Sequence, residues 1–142
     1  MKTIETEIRI IAKPEKIWAV LTDFERYPEW NPFIKSISGM KRVGEQLYVT
    51  IQPPESSAMS FKPIILRFDE NKEFRWKGKL FIKGLFDGEH FFILADNRDG
   101  TSTLTHGEKF SGLLVSLLGK TLENTKKGFV LMNEAIKVKS EK

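Results

Sequence analysis

Residues Gly112–Lys139, GLLVSLLGKTLENTKKGFVLMNEAIKVK, decide how the rest of the chain is read. Val115, Leu118, Leu122, Thr125, Phe129, Met132 and Ile136 recur every three or four positions, and Lys120, Glu123, Lys126, Lys127, Glu134 and Lys137 occupy the rest. That is the period of one long amphipathic helix. No Pro interrupts it, and Gly128 costs only about 1 kcal/mol in a helix interior. A helix of this length needs an apolar surface of matching length, which the preceding strand-like segments supply as an antiparallel sheet. Wherever helix and sheet fail to meet, the gap is an apolar cavity and the natural place for function.

Working outward, Thr3–Ile11 alternates, with Ile4, Thr6, Ile8 and Ile10 on one face and Glu5, Glu7 and Arg9 on the other, as in a half-buried strand. Pro14 suits a first helical turn, and Ile17, Trp18, Leu21 and Phe24 give the short helix after it one apolar face. YPEWNPF, Tyr27–Phe33, holds two prolines that leave room for a single helical turn. Its Trp30 suits either a cavity mouth or an anchor for the connector. Ile34–Met40 and Gln46–Gln52 read as strands, PPESSA (Pro53–Ala58) as a polar loop, and Met59–Phe68 as a strand interrupted at Pro63. Glu73–Ile82 places Phe74, Trp76, Gly78, Leu80 and Ile82 on one face, so Trp76 points inward as core filler or cavity wall. The connector Lys83–Gly88 carries Leu85 and Phe86 between glycines, which suits a lid, a partner contact or a loop tucked onto the core. Ser140–Lys142 reads as a frayed tail.

The chain has 142 residues, the size of one domain. Its net charge of +4 comes from scattered basic residues, without the Arg-rich arm or aromatic interleaving of a nucleic-acid face. Cysteine is absent, which excludes disulfides, thiolate chemistry and Cys-ligated zinc, and two separated histidines argue against a dedicated metal site. No apolar run is long enough to span a membrane. Neither a P-loop nor a dinucleotide fingerprint is present, so no nucleotide or redox cofactor is expected. These readings together predict a soluble cytoplasmic protein, a monomer or weak homodimer, that binds no nucleic acid. An edge strand near Ile34–Ile51 is the candidate for self-pairing.

One constellation can carry chemistry. Glu89–Ala95 and Thr101–Phe110 form a hairpin around Asp96–Gly100. His90, Phe92 and Leu94 share one face, and Leu104, His106, Glu108 and Phe110 share another. If the register puts both sets on the same side, His90 comes near Glu108 or His106. A carboxylate beside imidazoles in an apolar cleft can take or give a proton. Equally, the cluster can satisfy itself and hold two strands in register. Neither Ser111 nor Ser116 lies in a nucleophile elbow.

The segments Ala12–Trp18 (AKPEKIW), Asp23–Pro32 (DFERYPEWNP), Gly88–Phe92 (GEHFF) and Thr105–Gly112 (THGEKFSG) resemble the START-like superfamily, also called SRPBCC or Bet v 1-like. Within it they are similar to the bacterial polyketide cyclase/dehydrase-type group, and the resemblance spans essentially the whole chain. It implies an α+β helix-grip fold: a curved antiparallel sheet of about seven strands wrapped around a long C-terminal helix, with two short helices after the first strand. It also implies a cavity for a small hydrophobic molecule, such as a lipid or a polyketide-like aromatic. The positions that match such a lining are Trp30, Trp76, His90, Phe92, His106, Glu108, Phe110, Leu118 and Leu122, with Leu85 and Phe86 on a lid. No catalytic set carries over by motif. The metal triad of Rieske-oxygenase relatives has no matching spacing here.

Three functions are compatible with this reading. The first is a carrier or sensor that releases its apolar ligand unchanged. In the second the protein is a polyketide cyclase- or hydrolase-like enzyme using His90, His106 and Glu108 as acid–base groups. The third is a stress or chaperone-partner protein with a closed cavity.

Overall fold

The computed structural model describes residues 1–79, 87–112, 115 and 119–142. Alternation becomes strand where it was read. β1 (Lys2–Ile10) buries Ile4, Thr6 and Ile10 and exposes Glu5, Glu7 and Arg9. Pro14 opens α1 (Pro14–Thr22), whose Ile17, Trp18 and Leu21 turn inward. A 3-10 turn, Phe24–Arg26, leads into the one-turn α2 (Tyr27–Trp30).

The remaining strands are β2 (Ile34–Ser38), β3 (Tyr48–Ile51), β4 (Met59–Phe61), β5 (Ile64–Asp69), β6 (Glu73–Lys79), β7 (Asp87–Asp96) and β8 (Ser102–Ser111). They pair antiparallel in the orders β1-β8-β7-β6-β5 and β2-β3-β4. Pro63 explains why there are eight among the described residues where about seven were expected: it lacks the N–H a ladder needs, and it parts β4 from β5. The two sets are nonetheless joined. Leu47 N donates to Pro63 O (2.8 Å), Gly44 N to Ile65 O (2.9 Å) and Ile65 N to Glu45 O (3.0 Å), around an antiparallel bridge between Gln46 and Ile64. With β4 and β5 taken as one bent strand, the sheet is continuous and curved.

The gripping helix is α3, Gly119–Ser140, with Leu122, Thr125, Phe129, Met132 and Ile136 buried against the inner sheet face. Burying each such apolar side chain stabilises the fold by about 1.5–3 kcal/mol. A helix beginning at Gly112 is not what forms there. Gly112 has φ +116°, a left-handed conformation open to glycine, and the chain bends off β8 at that point. Val115 is buried; Leu118 lies outside the described residues, as do Leu80, Ile82, Leu85 and Phe86.

The C-terminus is tied down rather than frayed. Ser140 is fully buried, Glu141 N donates to Lys137 O, and the Glu141 carboxylate accepts from Ile11 N (2.8 Å) and from Lys137 Nζ. These donors hold the Glu141 carboxyl below the usual range, the Ile11 N–H foremost. Among the described residues no helix is long and apolar enough to cross a membrane.

Candidate functional site

The β7–β8 register pairs His90 with Glu108 and Phe92 with His106, all on the inner face. Both alternatives left open by the alternation are realised. His90 Nδ1 lies 3.2 Å from Glu108 Oε1, and His90 Nε2 lies 2.7 Å from His106 Nε2. The chain continues to the helix: His106 Nδ1 is 2.8 Å from Asn133 Oδ1, Asn133 Nδ2 donates to Thr6 Oγ1 (2.8 Å), and Thr6 donates to the His106 carbonyl (2.7 Å). β1, β7, β8 and α3 are thus linked through one line of polar groups.

Aromatic rings enclose that line. Trp76 stacks on His90 at 4.7 Å, Phe92 on His106 at 4.3 Å, and Phe129 on the other side of His106 at 4.3 Å. Burial therefore dominates the electrostatics by disfavouring every charged form. It pushes the Glu108 carboxyl up to about 8 and the His90 imidazole down to about 3. His106 is held well below the usual imidazole range, by burial first and by His90 second. The His90–Glu108 contact is accordingly a hydrogen bond between neutral groups rather than an ion pair. Gly88 makes room for it, since a Cβ there would stand 2.1 Å from Glu108 Oε2.

A cavity of about 300 Å³ opens beside this cluster. The sheet contributes His90, Glu108 and Phe110, and α3 contributes Thr121, Leu122 and Thr125. Phe33, Ile51, Met59 and Phe61 close the apolar wall, and Pro53, Ser56, Ser57 and Ala58 cross one side. Glu108 is the carboxyl at its wall. Among the described residues no group of three or more His, Cys, Asp and Glu side chains is disposed to hold a metal ion.

Of the residues singled out in the sequence, His90, Glu108, Phe110 and Leu122 stand on the cavity wall. Trp76, Phe92 and His106 pack against His90 one layer behind it. Trp30 is half-buried and edge-on to Tyr27 at 5.2 Å, outside the lining. Leu118 and the lid residues Leu85 and Phe86 fall outside the described residues. Other contributors went unread, among them Ile51, Met59, Phe61, Thr121 and Thr125 on the cavity wall. Asn133 is four positions beyond Phe129 and so lies on the buried stripe, the one signal that could have revealed it. Phe33 reaches the helix only because Gly128 has no side chain, a Cβ there standing 2.4 Å from the Phe33 ring. The Pro53–Ala58 loop is placed by tertiary contacts, among them Gln52 N donating to Phe33 O (2.9 Å).

Comparison with known proteins adds to this geometry. An aromatase/cyclase from a Streptomyces species superposes with a TM-score of 0.79 at 10% identity, over 99% of this chain and 93% of that one. Norcoclaurine synthase from Thalictrum, in complex with a transition-state analogue, gives 0.72 at 16% identity over 98% and 93%. A START superfamily protein from Mycobacterium smegmatis gives 0.65 at 21% over 94% and 96%. At such identities the likeness is one of fold, the helix grip. No match was found among curated proteins. The family model for polyketide cyclase/dehydrase and lipid transport proteins matches residues 1–130, and the chain belongs to that family.

Proposed function

We propose that the protein is a one-domain binder of a small hydrophobic molecule, a lipid or a polyketide-like aromatic, held between the sheet and α3. The observation that carries this reading is the cavity of about 300 Å³ with mostly apolar walls and a single carboxyl, a volume at the lower end of small-molecule sites. The family's description, which includes lipid transport, supports the same ligand class. We further place it in the cytoplasm as a monomer or weak homodimer without nucleic-acid partners. Native mass spectrometry of freshly purified protein, with denaturing extraction afterwards, tests the reading. A retained apolar molecule near one equivalent is expected. A protein that is empty and refuses lipids and aromatic probes alike would overturn it and return attention to a closed-cavity partner role.

A second reading is acid–base catalysis. It is favoured by one observation: Glu108, on the cavity wall, keeps its proton at neutral pH because of burial, as a general acid requires. Turnover lost in Glu108→Gln with ligand binding retained would establish it; equal loss of both would sink it.

A further inference from the structure

The polarity of the buried hydrogen-bond chain is dictated from its far end. A carbonyl only accepts, so Thr6 donates its hydroxyl hydrogen to His106 O (2.7 Å). Thr6 Oγ1 then accepts from Asn133 Nδ2 (2.8 Å), because the flipped amide would oppose two acceptors. Asn133 Oδ1 is left to accept, and His106 must carry a hydrogen on Nδ1 (2.8 Å).

Between the two Nε2 atoms, 2.7 Å apart, there is room for one hydrogen. One more proton completes the chain, and it has three possible seats. On Glu108 it makes a carboxyl that donates to His90 Nδ1 and leaves every group neutral, which burial favours. On His90 or His106 it leaves a carboxylate that accepts from His90 Nδ1–H. In all three arrangements Glu108 Oε1 is engaged with His90 and Oε2 bears no hydrogen. Oε2 is the oxygen turned toward Gly88, and Glu108, only 6% exposed, lines the cavity.

Resting on the reading that the cavity holds a small hydrophobic molecule, we propose that this ligand is an uncharged apolar alcohol or phenol whose hydroxyl donates to Glu108 Oε2. A carboxylate ligand would set acceptor against acceptor. An ether or hydrocarbon of the same shape would bury the oxygen without a donor.

Three probes on one scaffold test this with the full-length protein near neutral pH: 2-naphthol, 2-methoxynaphthalene and 2-naphthoate, titrated calorimetrically. The naphthol is expected to bind about tenfold more tightly than its methyl ether, the value of one good hydrogen bond, and the naphthoate more weakly than either. Glu108→Leu should level the naphthol and ether affinities. Glu108→Gln should keep the preference, because its amide can donate to His90 while its oxygen still accepts. Equal binding of naphthol and ether by the unmodified protein, or a preference that survives Glu108→Leu, overturns the proposal while leaving the cavity reading intact. Failure of all three probes to bind overturns the proposal, and only together with an empty protein that refuses lipids as well does it remove the cavity reading.

Discussion

His90 Nε2 and His106 Nε2 face each other at 2.7 Å with both rings sealed from solvent. Two imidazoles so placed share one hydrogen, and a second in that gap would set two N–H donors against each other and leave His106 charged in an apolar site. The pair is therefore stable as two neutral rings, each held in one tautomer by its outer partner, Glu108 for His90 and Asn133 for His106. The pH dependence of folding is set by which of these groups gain or lose protons as the core closes.

Stability should peak near pH 6.5. His90 is lowered from 6.5 to about 3 by burial, so the unfolded chain binds the extra proton between these values and stability rises with pH across that window. Glu108 is raised from 4.5 to about 8; its contribution is fully present below pH 4.5 and is lost as pH rises through about 8. Between pH 4.5 and 6.5 the two oppose each other, with His106 acting in the same direction as His90. Above that window the Glu108 slope stands alone, about 1.4 kcal/mol per pH unit. Urea unfolding between neutral and mildly alkaline pH should show the fall, and Glu108→Gln should flatten it. A fall that persists in Glu108→Gln would assign it to another group.

Asn133→Ala should cost about 1–3 kcal/mol, because it removes both the acceptor of the buried His106 Nδ1–H and the donor to Thr6 Oγ1 and leaves His106 only the Phe129 backbone as a partner on that side. Thr6→Val breaks the same chain one bond further on. If the two side chains act as a unit, the double variant loses less than the sum of the singles. Strict additivity in urea unfolding would mean that Asn133 contributes only packing.

Much of this site could be read from alternation, and the reason is physical. A strand's side-chain period is two, so the placement of His90 and Glu108 on one face needed only the hairpin register, which the turn at Asp96–Gly100 supplies. The inward set of β1, Thr6 included, emerged in the same way. Asn133 escaped because a polar residue within an apolar stripe looks like noise until its partners are known, and these lie 27 and 127 residues away on other elements. The loop Pro53–Ala58 escaped because its composition reads as surface, whereas it borders the same cavity as Thr121, Leu122 and Thr125 of α3. For Trp30 the sequence left a cavity mouth and a connector anchor open, because aromatic density alone does not distinguish them, and the ring packs on Tyr27 as an anchor does.

Gly88→Ala isolates the Glu108–His90 contact. Gly88 is absent from the glycines with left-handed backbone, so alanine fits its conformation and the effect is steric. The new Cβ would meet Glu108 Oε2 at 2.1 Å and drive the carboxyl away from His90. A loss of about 1–3 kcal/mol is expected. The NMR shifts of the His90 ring nitrogens should change with it. Ring shifts identical to those of the unmodified protein would show that Glu108 relaxes without releasing His90.

Gly128→Ala sets helix propensity against packing. Alanine favours the helix interior by about 1 kcal/mol, but its Cβ would stand 2.4 Å from Phe33 Cδ1 and 2.8 Å from Cε1. Phe33 is 1% exposed, meets Phe129 edge-on at 5.4 Å and lines the cavity, so the displaced ring must press into neighbours or into the ligand space. Overpacking of this kind costs about 1–3 kcal/mol. A net loss of ~1 kcal/mol is therefore expected, together with weaker probe binding. Phe33→Leu in the same chain should relieve the collision and let the propensity gain emerge, making the double variant more stable than Phe33→Leu alone. If Gly128→Ala by itself proves more stable than the parent, Phe33 yields freely. The glycine would then not be what holds the cavity open beneath the helix.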